Sequence, residues 1–566
     1  MRYIISPMGL LFTLLTNLAR AIRNAAARFR RAPDYVVIDV WGTLPEFERP
    51  AGFVRRRLRP GPAPPSLQEL RRRFDRIFGD GRLRGIVLRV NNLDAGWAAL
   101  EELRAEIERY KERGGRVVVY LTEADSRTYY LASAATTVLA TPLATVGVTG
   151  VRSRVNFLKD ALDRVGVAAE VVAVSPYKSA GDTFTRIDFS PEAREQAERL
   201  THNRYEALVE AIAAGRSISL EEARAKIDGA PYPARGAVEA GLLEGMCYED
   251  ELAAWLGEDG RRVRIAEWGR AKKVLRMPYR EWARRRVGVV SLSGTIVRGK
   301  SRRLPVPVPL LGGEQAGSDS VVGALRVAEK NRRVAAVLFH VDSRGGDALA
   351  SDLIWREVER IREKKPVVVL MGDAAASGGY YVSAAANHIA ARRNTITGSI
   401  GVISIRPVAA GLYGKLGVNP VAVECGARAG ILDPAIRPSA DELDVLRYQI
   451  SSIYDAFKDR VHRGRNLPPR GLENIAGGRV WNGREAFERG LVDEIGGYRE
   501  ALQKARDLAG TGVAREPVMV PPPATRPAPG ERAGEISELA TAAKEILTTL
   551  RDGRAWAVSP FEISED

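Results

Sequence analysis

A serine on a tight turn between an apolar strand and a run of tiny residues can act as a nucleophile, and this chain carries one at Ser377. The segment Val367–Met371 reads as a buried strand and runs into Gly372-Asp373-Ala374-Ala375-Ala376-Ser377-Gly378-Gly379-Tyr380. Small neighbours leave the hydroxyl approachable and helix-start amides free to hold a negative oxygen. The same residues also suit a helix N-cap, so the serine taken alone leaves two readings open. A second glycine turn, Asp342-Ser343-Arg344-Gly345-Gly346-Asp347, follows the apolar run Phe339–Val341. Two such turns at the ends of neighbouring strands can present two N–H groups to one point, as an oxyanion hole requires.

A nucleophilic serine also needs a base. The four histidines, His202, His340, His388 and His462, stand in no recognisable triad context, and His340, closest to the glycine turn, falls inside a strand. Lysine is the other candidate. Val171–Val174 leads into Ser175-Pro176-Tyr177-Lys178-Ser179-Ala180, where Lys178 is either an ordinary solvated lysine or an amine desolvated beside an apolar strand and so held neutral. Cys247 and Cys425 are the only cysteines; they support neither a disulfide framework nor a thiolate metal site. No metal and no cofactor is expected.

The elements that must position these groups occur twice. Leu88–Val90, Val117–Leu121 and Tyr129-Tyr130-Leu131-Ala132-Ser133-Ala134 recur as Phe339–Val341, Val368–Met371 and Tyr380-Tyr381-Val382-Ser383-Ala384-Ala385, and the tyrosine pairs set the offset at 251 residues. Ser126 then falls on Ser377, and Gly147 and Gly150 fall on Gly398 and Gly401. A period this long indicates two tandem domains, not a solenoid. Strands expected at Tyr35–Val40, Gly85–Val90 and Arg116–Leu121 alternate with helices at Ser66–Phe78 and Ala98–Arg113, which argues for an α/β fold with a mostly parallel sheet in each copy. The organisation expected is an N-terminal segment over 1–31, a first lobe over 32–269, a basic linker over 270–286, a second lobe over 287–510, and a tail over 511–566 in which a Pro-rich stretch precedes an amphipathic helix at Glu535–Arg551.

The chain has 566 residues, of which 45% are hydrophobic and 28% charged, enough to bury a core in each lobe. The net charge of +16 is spread along the helices without a basic tract interleaved with aromatics, so no nucleic-acid partner is expected and an anionic membrane surface is. The N-terminus agrees. Leu11, Leu14, Leu15, Leu18, Ile22, Ala25, Ala26 and Phe29 keep helical spacing, with Thr13, Thr16, Asn17, Arg20, Arg23, Ala27 and Arg30 on the other face. This is the pattern of a helix lying in a membrane interface, a short spanning anchor being the other reading.

Together these residues resemble the long-chain signal peptide peptidase A family, also called protease IV, of the Clp protease/crotonase superfamily. The resemblance spans roughly residues 35–505 and rests on Ala375-Ala376-Ser377-Gly378-Gly379-Tyr380, Thr397-Gly398-Ser399-Ile400-Gly401-Val402, Tyr177-Lys178-Ser179-Ala180, and Val480-Trp481-Asn482-Gly483 with Gly490-Leu491-Val492-Asp493. It implies two Clp protease/crotonase-like domains, Ser377 as nucleophile and Lys178 as general base from opposite lobes. It further implies apolar peptides such as remnant signal peptides as substrates, a homotetrameric bowl or ring, and the periplasmic face of the bacterial inner membrane. If the N-terminal segment spans, however, the arginines at 20, 23, 28, 30 and 31 that follow it favour the cytoplasmic face.

The differences between the copies fit that division of roles. Arg127 stands at the place of Gly378, and Asp94-Ala95 at that of Gly345-Gly346, so the first copy has no hole to offer. At an offset of 249, which the later glycine motifs share, Lys178 falls on Ala427, so the second copy has no base. Gly346 and Gly378 are the expected hole donors. Arg344 replaces the family's proline in Ser-Pro-Gly-Gly and can alter the turn or bias substrate charge. The function expected is a membrane-associated serine endopeptidase with a Ser/Lys dyad. The alternatives are a crotonase-like acyl-CoA enzyme and a catalytically decayed membrane scaffold.

Overall fold

The computed structural model describes residues 7–48, 63–308, 312–523 and 555–558. They group into two compact units, Met1–Val151 with His202–Trp282 and Arg152–Thr201 with Ala283–Asp566. In the first unit, six strands lie in the order Ile265–Glu267, Tyr35–Gly42, Gly85–Leu93, Arg116–Leu121, Thr137–Ala140 and Gly245–Met246, each parallel to its neighbours. Their near-continuous apolar runs are what a parallel sheet covered on both faces requires. Val36, Ile38, Ile86, Leu88, Val117 and Val119 are fully buried. The covering helix Leu67–Phe78 starts where Ser66 Oγ accepts from Glu69 N at 3.1 Å, a cap worth about 1 kcal/mol.

The second unit repeats the plan in a larger sheet, with Val518–Met519, Arg286–Ser293, Val334–Ser343, Val367–Ala376, His388–Ala391 and Glu494–Ile495 following the order of the first unit, each parallel to its neighbours. Ile396–Gly398 pairs parallel with the end of Val367–Ala376, and Val480–Asn482 antiparallel with Ile396–Gly398. One tie marks the duplication in atomic detail. Tyr129 OH donates to Leu242 O at 2.7 Å, and Tyr380 OH to Leu491 O at 2.9 Å. A second sheet of this unit has seven strands, in the order Arg302–Val308, Gly312–Gly317, Thr295–Val297, Gly345–Asp347, Ala555–Val558, Ile403–Val408 and Ala168–Ala173.

The strand Ala168–Ala173 explains where the units depart from the lobes expected at 32–269 and 287–510. It pairs antiparallel with Ile403–Val408 from Ala168↔Val408 to Ala173↔Ile403. Residues 152–201, Lys178 among them, therefore belong to the second compact unit, although the repeat assigns them to the first copy. The site does not need a lysine reaching over from another lobe. The first unit also extends to Trp282, through most of the expected linker.

The helix Pro7–Arg28 is docked by its polar side. Asn17 both donates to Arg280 O (2.9 Å) and accepts from Arg280 N (2.7 Å), and Asn24 does the same with Met277 at 2.9 and 2.8 Å. Arg20 donates to Pro278 O at 2.6 Å. Leu11, Phe12, Leu14, Leu15, Leu18 and Ile22 are left exposed. Among the described residues, no helix is long and apolar enough to cross a membrane. The expected helix Glu535–Arg551 lies outside the described residues.

Candidate active site

Ser377 sits at the junction of the strand Val367–Ala376 and the helix Gly378–Ser383 with φ +54° and ψ −114°. A positive φ on a serine is strained, and the strain is held by two backbone bonds: Ser377 N donates to Gly398 O, and Tyr381 N to Ser377 O, both at 2.8 Å. A sharp strand-to-helix turn of this kind thrusts the hydroxyl away from its own backbone. The serine caps nothing with its side chain, so of the two readings open in the sequence the N-cap is not the one the turn adopts.

The Ser377 hydroxyl meets Lys178. Nζ lies 2.7 Å from Ser377 Oγ, 3.0 Å from Ser399 O and 2.9 Å from Ser399 Oγ. Ser377 and Lys178 are 0% and 1% exposed, and burial drives the amine's pKa well below the ordinary lysine value. The lysine follows the strand Ala168–Ala173, in a turn that Ser175 closes by accepting from Tyr177 N at 3.2 Å and donating to Gly477 O. Gln196 pins the turn from behind, donating to Tyr177 O at 3.1 Å and accepting from Val480 N at 2.8 Å.

Lys178 Nζ reaches three oxygens, Ser377 Oγ, Ser399 O and Ser399 Oγ, and a neutral amine that donates two N–H groups to Ser399 has its lone pair left for the Ser377 O–H. An ammonium would instead place three donors and a full charge in a site that includes no carboxylate among its bonded partners, which burial opposes.

Ser399 is the site residue that sequence reasoning passed over. It lies in the quoted Thr397–Val402 motif with φ +51°, fixed by donation from its N to Arg479 O at 2.7 Å. The repeat held the signal, because at the offset of 251 the residue opposite Ser399 is Val148. A hydroxyl is present only in the copy that keeps the nucleophile.

The two glycine turns meet as expected. A Cβ built on Gly378 would lie 3.1 Å from Gly345 Cα, 3.2 Å from Gly346 N and 2.7 Å from Ser351 Oγ, so only glycine lets the backbones approach this closely. Gly345 and Gly346 have φ of +107° and +157°, and a Cβ on Gly346 would strike Ile296 O at 2.0 Å. Arg344, which precedes them, is exposed. In the first unit, Ser126 Oγ accepts from Gly150 N at 3.1 Å, and Arg127 approaches Asp94 and Asp125 at 3.9 and 3.8 Å. His340 Nδ1 lies 3.1 Å from Ser291 Oγ at mid-strand, and His388 Nε2 2.9 Å from Glu494; Ser377 is bonded to neither. Among the described residues, no cluster of His, Cys, Asp or Glu is placed to hold a metal ion.

A serine beside a buried amine whose pKa is held low, next to two closely approaching glycine turns, brings together the kinds of group that acyl transfer uses. Comparison with known proteins points the same way. The model of Peptidase family S49 matches residues 109–263 and again 359–512. "Serine protease SPPA, chloroplastic" of Arabidopsis thaliana is 31% identical over 468 residues, 80% of this chain and 67% of that protein. "Protease 4" of Haemophilus influenzae is 31% identical over 460 residues, 77% and 72% of the two chains. "Protease 4" of Salmonella typhi is 27% identical over 445 residues, 76% and 70%.

Proposed function

The chain belongs to peptidase family S49, and from that premise we propose that it is a serine endopeptidase in which Ser377 is the nucleophile, Lys178 the general base, and the amides of Gly346 and Gly378 the oxyanion hole. The observation that carries this reading is the 2.7 Å approach of the buried Lys178 amine to Ser377 Oγ. Neutral Lys178 takes the hydroxyl proton as Oγ attacks the peptide carbonyl. The oxygen that becomes negative points at the two glycine amides, which are fixed before the reaction and cost no reorganisation during it. The resulting ammonium gives its proton to the departing amine, leaving an acyl ester on Ser377 and a neutral lysine. Lys178 then takes a proton from water as the water oxygen attacks the ester; the C–Oγ bond breaks to release the acid, and the ammonium returns its proton to Ser377 Oγ, restoring hydroxyl and neutral amine. Ser399 holds the amine in one rotation throughout.

The substrates proposed are apolar peptides in extended form, presented near a membrane. The outward row of leucines on Pro7–Arg28 and the net charge of +16 support attachment to an anionic lipid surface by a helix lying in its plane. Assembly into a homotetramer is proposed with it, and light scattering of the detergent-free protein tests that stoichiometry. For the dyad, the test is labelling by a fluorophosphonate. Labelling should map to Ser377 and vanish in Ser377→Ala, whereas an acyl-CoA enzyme or a decayed scaffold leaves the serine unlabelled.

A further inference from the structure

The helix Ala440–Arg465 packs on the second unit through Leu446, Ile450, Tyr454, Phe457 and Val461, the spacing of an ordinary buried helix face. Phenylalanine would serve at 454 as it does at 457, so packing leaves the Tyr454 hydroxyl unexplained. That hydroxyl is held on both sides. It donates to Glu473 Oε1 at 2.7 Å and accepts from Gly477 N at 2.9 Å, on a residue only 6% exposed. Lys458 steadies the pair: its Nζ lies 4.3 Å from the centre of the tyrosine ring, 3.4 Å from Glu473 and 3.1 Å from Asp455.

The backbone that the hydroxyl fixes lies under the proposed base. Gly477 O accepts from Ser175, the residue that closes the Lys178 turn. Gly478 sits so close to Lys178 that a Cβ on it would come within 2.8 Å of the lysine's Cα and N. Arg479 O accepts from Ser399 N at 2.7 Å, and the Arg479 guanidinium, which donates to Glu473 O at 3.2 Å, lies 4.0 Å from the centre of the Tyr177 ring. Residues 473–479 thus form a saddle that touches the lysine turn at Ser175, Tyr177 and Lys178 and reaches the amine's partner Ser399. Two successive glycines at φ +64° and +87° leave the saddle little rigidity of its own, and the Gly477 amide is anchored on the tyrosine oxygen. The repeat separates this role from packing. At the offset of 249 Tyr454 falls on Tyr205, but Glu473 falls on Arg224 and Gly477 on Asp228. Both copies keep the ring, and only the copy that seats the base keeps the carboxylate and the glycine.

We infer that Tyr454 is a positioning residue for the general base: its hydroxyl pegs the Gly477–Gly478 saddle against the Lys178 turn and so keeps the amine enclosed and within reach of Ser377 Oγ. The inference rests on the assignment of Lys178 and Ser377 above. Tyr454 acts through the saddle and is bonded to neither reacting residue, so its loss is felt in the chemical step and leaves KM as it was. With the saddle free to lift, water reaches Nζ, and an amine whose pKa is low because of burial returns toward the ordinary lysine value.

The test is full-length Tyr454→Phe, which keeps the packing face and removes one oxygen, beside Tyr448→Phe, an exposed tyrosine of the same helix. The readouts are kcat and KM on a short apolar peptide, the pH profile of kcat/KM, and the rate of fluorophosphonate labelling at Ser377, with near-UV circular dichroism to compare the folds. Tyr454→Phe should lose about tenfold in kcat with KM unchanged, slow labelling by the same factor, and move the rising pH limb up by about one unit. Raising the pH should then recover most of the lost rate, as a base that is merely over-protonated allows, and Tyr448→Phe should match the wild type. Ser175→Ala, which cuts the saddle's own bond to the turn, should move the limb in the same direction. A wild-type kcat in Tyr454→Phe overturns the inference, and so does a loss of rate with the limb unmoved in both Tyr454→Phe and Ser175→Ala. Absence of labelling at Ser377 in the wild-type protein defeats the dyad assignment, and the inference with it.

Discussion

Gly478 lies against the backbone of Lys178: a Cβ on the glycine would come within 2.7 Å of the lysine's Cβ and 2.8 Å of its Cα and N. Gly478 has φ +87° and donates from its N to Ile400 O at 2.8 Å, which ties it to the turn of Ser399. The proposed base and the serine proposed to position it thus rest on one glycine. Gly478→Ala should displace Lys178 and lower kcat/KM roughly a hundredfold, since a displacement of about 1 Å costs that much. Steady-state kinetics alongside near-UV circular dichroism checks this, and a fully active Gly478→Ala protein would refute it.

Burial makes the pH dependence of Lys178 definite in sign. The protonated amine cannot accept the serine proton, and burial holds its pKa well below the ordinary lysine value. The rate kcat/KM should therefore rise with pH through one ionisation below the ordinary lysine range and then level off. Replacing all four histidines by glutamine should preserve this limb, and Lys178→Ala and Lys178→Arg should both be folded and inactive. Stability follows the same linkage. Between the depressed folded pKa and the unfolded value of about 10.4, the unfolded chain binds the extra proton, so stability rises with pH in that window. Lys178→Met should flatten that slope in urea titrations at several pH values.

Ser399 offers a sharper test, because its hydroxyl accepts from Lys178 Nζ and so favours the ammonium. Ser399→Ala should move the pH limb downward and, with the amine freer to rotate, reduce kcat/KM by about ten- to a hundredfold. A purely structural serine would lower activity without moving the limb. Ser126→Ala, in the copy where Arg127 and Ala95 stand at the places of Gly378 and Gly346, should leave both quantities unchanged.

Much of this was legible in the sequence. Apolar strand runs and the offset of 251 located both parallel sheets to within a few residues, because a covered parallel strand has little alternative composition. Ser377 and its glycines were legible because backbone approach demands tiny residues. The grouping of 152–201 with the second unit was not, since it depends on the pairing of Ala168–Ala173 with Ile403–Val408, and strand partners distant in sequence leave no local mark. Pro7–Arg28 shows the same limit. Its amphipathic period was plain, but that asparagines would dock its polar side on 277–280 depends on a tertiary partner.

The glycines proposed for the oxyanion hole differ in what substitution does. Gly346→Ala combines φ +157° with a 2.0 Å clash against Ile296 O, so it should disturb the strand Gly345–Asp347 and weaken peptide binding as well as catalysis. Gly378→Val meets Ser351 Oγ and the Gly345–Gly346 backbone, displacing one donor. It should cost on the order of a hundredfold or more in kcat. Unchanged kcat in Gly378→Val would remove that amide from the hole.

The last prediction concerns the outward face of Pro7–Arg28. Leu14, Leu15 and Leu18 are each more than half exposed while the polar side of the helix is bonded to 277–280, an arrangement costly in water unless another apolar phase covers it. Full immersion of a leucine contributes about 1.5–3 kcal/mol, so even partial immersion of three should supply several. The triple variant Leu14→Gln, Leu15→Gln, Leu18→Gln should keep the docking bonds and the activity on soluble peptides but bind vesicles of mixed anionic and neutral lipid at least a hundredfold more weakly. Raising the salt should loosen the wild-type protein only in part, because the arginines contribute roughly 1 kcal/mol each near the surface and are screened, whereas leucine burial is not. Sedimentation with the vesicles at two salt concentrations measures both effects, and equal partitioning of the triple variant and the wild type would exclude this face as the anchor.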